Sequence, residues 1–194
     1  LSATYKSKRS SISTLHRDWG YSEVPLLLID GLCSQFGSKL CSNFERDGGD
    51  GLYPPPTLFS LLSSYLIDDH RSAQINDVGK HRLIHYLFLD MADKRCSEEI
   101  WSELIDRLIQ FPSAFSVPPS LIKLTQAFWL LDQGDFEEAM GMLLDPLILD
   151  KDIKAWEHRA IIVAFLVQDQ PKAALKYSRI RKPPVRDAFD IKLH

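Results

Sequence analysis

Two histidines four residues apart, His81 and His85, are the residues of this chain best spaced for metal chemistry. On a helix that spacing puts both rings on one face, the arrangement used by zinc-binding pairs. The intervening Arg82-Leu83-Ile84 supplies no glutamate to act as a base, and no third ligand stands at a recognisable spacing. The pair therefore reads as ordinary helix histidines. Asp68, Asp69 and His70 form a possible acid–base cluster, but they stand where a helix should end, and polar groups there satisfy the backbone. Cys96 has only Lys94-Arg95 beside it to favour a thiolate. No GxxxxGK[ST], GxGxxG or GxSxG motif occurs. Residue types and spacing thus predict a non-enzymatic protein, with no catalytic, cofactor-binding or metal-binding residues.

Composition narrows the class further. A chain of 194 residues with 45% hydrophobic and 25% charged residues can bury one domain core. A net charge of −3 gives no domain-wide attraction to nucleic acid or to an anionic membrane. The apolar runs from Val24 to Ile29 and from Tyr86 to Leu89 are far too short to span a bilayer. Three dispersed cysteines, Cys33, Cys41 and Cys96, suggest a reduced, intracellular protein. The chain starts without the residue order of a signal peptide and stops inside an amphipathic pattern, Phe189 to His194, so it reads as a piece of a longer polypeptide.

The elements that would position these residues are helical. Residues 1–21 are polar and aperiodic, and are expected to form a disordered tail; a helical domain is expected over 22–194. A first long helix is predicted from Ser22 to Glu45, capped by Ser22 with Pro25 in its first turn. A glycine linker, Arg46 to Gly51, follows. Tyr53-Pro54-Pro55-Pro56 then sets the angle of a second helix, Thr57 to Ile67. A third, about Val78 to Asp93, is apolar almost all round and so should be central. A fourth opens at Ser97-Glu98-Glu99 and should stop at Phe111-Pro112; a fifth begins at Val117-Pro118-Pro119. Two more are expected from about Ile153 to Val167 and on to about Arg179. No segment alternates with period two, so no sheet is expected.

Within the last third of the chain one pattern occurs twice. Phe128-Trp129-Leu130-Leu131-Asp132-Gln133-Gly134-Asp135 leads into Phe136-Glu137-Glu138-Ala139-Met140. Thirty-five residues on, Val163-Ala164-Phe165-Leu166-Val167-Gln168-Asp169-Gln170 leads into Pro171-Lys172-Ala173-Ala174-Leu175. An apolar helix, a tight polar turn and an alanine-bearing helix at this period predict an α-solenoid-like stack of helical hairpins, an architecture that mostly holds other proteins. Arg179-Ile180-Arg181-Lys182 is the densest basic cluster; it reads first as favourable charge at a helix C-terminus stopped by two prolines, and second as a contact for an acidic partner or a phosphate backbone.

Several blocks in fixed order also resemble a known family. They are Tyr53-Pro54-Pro55, Leu61 to Asp68, His85-Tyr86-Leu87-Phe88-Leu89-Asp90, Phe111 to Val117, Leu121 to Asp132, Leu143-Leu144-Asp145-Pro146, Trp156-Glu157-His158, and Ala174-Leu175-Lys176-Tyr177. Together they are similar to the central helical domain of the ELYS family of nuclear pore proteins. The resemblance covers most of the chain from Val24 onward and departs from the animal pattern between Met91 and Phe111. It implies a scaffold module of the nuclear pore complex at the nuclear envelope, docking onto the Y-shaped scaffold complex and supporting pore assembly. It also implies chromatin contact only through regions outside these residues. A related domain in plant RING-type ubiquitin ligases leaves an alternative, a substrate- or adaptor-binding module; three dispersed cysteines cannot supply a RING's zinc ligands. Expected contact residues are the polar hairpin ends, Asp132, Asp135, Gln168 and Gln170, and the basic edge Arg179, Arg181 and Lys182. No cofactor, small-molecule substrate or membrane insertion is expected.

Overall fold

A computed structural model describes residues 2–57, 60–61, 77–93 and 98–193. Asp68, Asp69, His70, Cys96 and most of the helix expected over Thr57 to Ile67 lie outside the described residues. Within them the fold is all-α: ten α-helices, one 3-10 turn at Asp150–Asp152 and no strand. In chain order the helices are α1 (Ser2–Asp18), α2 (Leu28–Ser34), α3 (Ser38–Arg46), α4 (Asp77–Asp93), α5 (Glu98–Ala114), α6 (Pro119–Gln133), α7 (Phe136–Leu143), α8 (Ala155–Val167), α9 (Pro171–Arg181) and α10 (Ala188–Leu193). No described helix is long and apolar enough to cross a membrane.

The repeated pattern becomes two hairpins, α6–α7 and α8–α9, with equivalent turns. In the first, Gly134 adopts a left-handed φ of 90° that glycine reaches without steric cost. Its N–H donates to the Leu130 carbonyl at 2.9 Å, and the Asp135 N–H donates to the same carbonyl at 2.9 Å. In the second, Asp169 takes φ 57° at the matching position, and the Gln170 N–H donates to the Phe165 carbonyl at 2.8 Å. Both turns close carbonyls that the helix end would otherwise leave open. Ala139 and Ala174, one repeat apart, are both buried, and a methyl there lets the helices approach closely. Pro119 and Pro171 start α6 and α9, where a missing N–H is harmless.

The core runs through the hairpins and continues under α2 and α4. Leu131, Phe128, Ile161 and Phe165 are fully buried, each contributing roughly 1.5–3 kcal/mol on removal from water. The seven-residue α2 packs on α4, α6 and α8. It has no room for a side chain at Gly31: a Cβ there would lie 2.2 Å from the Trp156 ring.

Four expectations are corrected. The N-terminal residues are not a disordered tail. Ser2–Asp18 is helical, and Tyr5, Arg9, Ile12 and His16 form its buried stripe. These fall at helical spacing, but two of the four are basic, and the partners of Tyr5 and Arg9 lie far along the chain. The single helix expected from Ser22 to Glu45 is two short helices, α2 and α3, broken at Gly37 (φ 69°) and starting at Leu28 instead of Ser22. Pro112 does not stop α5, which continues to Ala114 because buried Phe111 holds that turn against Phe88, Val117 and Ile122. Finally, α4 is central, but its buried residues include Arg82, His85 and Asp90 beside Leu83, Tyr86 and Leu87.

Candidate functional site

The chemically richest residues converge in the interior. Asp90 of α4 accepts from the hydroxyl of Tyr5 at 2.8 Å, from the Trp129 indole N–H at 2.8 Å and from the Tyr53 hydroxyl. A second carboxylate, Asp132 at the end of α6, accepts the backbone N–H groups of Leu28 at 2.9 Å and Ile29 at 3.0 Å. It also accepts the Tyr86 hydroxyl at 2.8 Å. Asp132 thereby caps α2, whose own N-cap residue, Leu27, has no side-chain acceptor. Burial pushes the Asp132 carboxyl up to about 7, against the opposing pull of those donors. Burial likewise raises Asp90 and the phenols of Tyr5, Tyr53 and Tyr86. Phenols held neutral beside enclosed carboxyls are linkers between helices. They tie α1, α2, α4, α6 and the Tyr53 segment together.

Arg82 and Glu157 form a second buried polar joint, between α4 and α8. The Arg82 guanidinium donates to Glu157 Oε1 at 2.6 Å and to Thr125 Oγ1 at 3.1 Å, and it lies over the Phe128 ring. The other Glu157 oxygen accepts the Lys154 N–H at 2.7 Å, so one carboxylate both neutralises Arg82 and caps α8. His85 contrasts with these groups. It is 1% exposed, stacks on Phe111, and neither ring nitrogen finds a partner among the described residues; burial pushes it down to about 4. His81 leans on Phe115. No group of three or more His, Cys, Asp or Glu residues is placed to hold a metal among the described residues.

The seven expected contact residues separate into different environments. Asp132 is interior, 5% exposed, because its carboxylate caps α2; it belongs to no surface. Gln168 is half-buried and donates back to the Ala164 carbonyl at 3.2 Å. Asp135 and Gln170 come together in one open groove of about 550 Å³ between the starts of α7 and α9. Phe136, Met140 and Ala173 give it an apolar floor, Glu137 adds to the α7 wall, and Lys172 and Lys176 line the α9 wall. Arg179 is exposed on α9. Arg181 is tied down, donating to the carbonyls of Leu143 at 2.8 Å, Ile148 at 2.7 Å and Asp145 at 3.1 Å, which anchors the segment after α7. Lys182 is exposed at the left-handed end of α9 and borders a second concavity. Sequence reasoning missed Lys172 and Lys176, whose four-residue spacing on α9 was the available signal, and missed Glu137.

An all-α domain sealed by buried polar joints, with concave surfaces at its helix ends, has the architecture of an interaction module. Comparison with known proteins identifies the family. The family model described as "ELYS: Nuclear pore complex assembly" matches residues 26–193. Protein ELYS of Xenopus laevis is 34% identical over 192 residues, 98% of this chain and 7% of the relative. Protein ELYS of Homo sapiens is 34% identical over 192 residues, covering 98% of this chain and 8% of the relative. The chain belongs to the ELYS family, and it spans less than a tenth of the length of either relative.

Proposed function

We propose that this domain is a non-enzymatic scaffold module of the nuclear pore complex. It works at the nuclear envelope by docking onto the Y-shaped scaffold complex during pore assembly. The observation that carries this reading is membership of a family described by nuclear pore complex assembly, over nearly the whole chain. The equivalent turns at Gly134 and Asp169 support an α-solenoid-like stack, in which successive hairpins present their ends along one edge. The groove between α7 and α9 is the docking surface. Its apolar floor lies between an acidic wall, Asp135 and Glu137, and a basic wall, Lys172 and Lys176, which fixes the orientation of an amphipathic partner helix. Any chromatin contact runs through other regions of the protein.

Size-exclusion chromatography of the domain with the reconstituted Y-shaped complex, at physiological salt, tests the reading. Co-elution that is lost in a Lys172→Glu/Lys176→Glu variant supports it. Failure of the folded wild-type domain to co-elute removes the docking role from these residues, and unchanged co-elution of the variant moves it to another surface.

A further inference from the structure

The second concavity, about 550 Å³, lies where the start of α8 meets the end of α9 and the segment that follows it. Its charge reverses that of the domain. Lys151, Lys154, Arg181, Lys182 and Arg186 line it against one carboxylate, Asp150, in a chain of net charge −3. The cations fall into two kinds. Arg181 is fixed: its donors go mainly to the neutral carbonyls of Leu143, Asp145 and Ile148, and the carboxylate it pairs with, Asp150 at 3.4 Å, is largely exposed. Lys151, Lys154, Lys182 and Arg186 are exposed, and their side chains make no hydrogen bond or ion pair among the described residues. Ala155, the first residue of the thirteen-residue α8, also lines the concavity.

We propose that this concavity binds a phosphorylated serine or threonine side chain on a peptide segment of a partner protein. A phosphomonoester brings close to two negative charges and three strong acceptor oxygens to one point, which suits several free donors converging on a pocket with a fixed guanidinium in its wall. The site is unsuited to a nucleic-acid duplex, since the domain as a whole repels a polyanion and the positive charge is confined to one hollow. It is equally unsuited to an unstacked base, because no phenylalanine, tyrosine or tryptophan among the described residues lines it. The proposal does not rest on the docking groove. That groove lies at the start of α9 and this pocket at its end, about 15 Å apart at 1.5 Å rise per residue.

Fluorescence polarisation tests it, using the whole 194-residue chain and a labelled peptide with one phosphoserine between two glutamates. The unphosphorylated twin peptide and a short duplex DNA serve as comparisons. The phosphopeptide should bind about tenfold or more tightly than its twin, as expected for charge-assisted bonds to a dianion. A Lys151→Ala/Lys182→Ala/Arg186→Ala variant with unchanged helicity should lose most of that difference, while Lys172→Glu/Lys176→Glu should keep it. Equal binding of the two peptides, undiminished binding by the triple variant, or tighter binding of the DNA would each overturn the proposal. So would absence of phosphopeptide binding up to about 1 mM, where only a trivial affinity remains.

Discussion

The hairpins α6–α9 and the region built from α1, α2 and α4 are held together by different means. The hairpins pack apolar faces of neighbouring helices, joined by two turns closed by the same backbone bonds. The other region is also tied to them by polar groups reaching far along the chain: Trp129 to Asp90 across 39 residues, Leu28 to Asp132 across 104, Arg82 to Glu157 across 75. Local apolar packing repeats, tolerates variation and leaves helix ends free for partners. Long-range polar joints fix a single arrangement, because a buried donor that loses its acceptor has no substitute. Open concavities lie at the hairpin ends, and a further one of about 680 Å³ lies beside α1 and α4, lined by Lys6, Asp50, Pro55 and Met91.

The largest break should come at the joint between the two regions. Glu157→Ala leaves the Arg82 guanidinium buried without its counter-charge and removes the acceptor at the start of α8; chemical denaturation should show a loss of about 3–5 kcal/mol. The next effect is on pH dependence. Asp132 titrates at about 7 in the fold, above the ordinary carboxylate range, so its contribution to stability is full in acid and is lost as pH rises through about 7. Asp132→Asn cannot ionise. Although less stable overall, it should show a smaller deficit against wild type at pH 8 than at pH 5. A deficit that stays constant would mean that Asp132 ionises as an ordinary surface carboxylate does.

The comparison sharpens inside the hairpins, where one repeat predicts the other. Ala139→Leu and Ala174→Leu should each cost about 1–3 kcal/mol by overpacking the same crossing. Thermal melts that differ widely between the two would mean that the crossings are not equivalent. Smaller still are the turns. Gly134→Ala should cost about 1–2 kcal/mol because a Cβ is strained at φ 90°. Asp169→Gly, at the matching left-handed position, should be neutral or gain up to about 1 kcal/mol.

This division also explains how much was legible in the sequence. The helices α4, α6, α7, α8 and α9 announce themselves by apolar spacing, proline starts and polar turns, because local packing is written locally. The α1 helix is not legible, since Arg9 and His16 look like solvated charge until Asp30 and the Tyr53 carbonyl are known to meet Arg9. The same holds for Asp132, which reads as a turn residue and serves as the cap of a helix 104 positions earlier. At the candidate docking surface, Asp135 and Gln170 were visible as turn ends, but their meeting in one groove with Lys172 and Lys176 follows only from hairpin stacking. Arg181 was visible as basic charge, whereas its bonds to the segment after α7 depend on how α9 lies against that segment.

Hydrogen exchange of the backbone amides, free and bound to the reconstituted Y-shaped complex, tests most directly that the hairpin ends are the working surface. The account predicts new protection over residues 135–140 and 170–176, with α1 and α4 unchanged. Protection confined to α1 or α4, with the hairpin ends exchanging as freely as before, would contradict it.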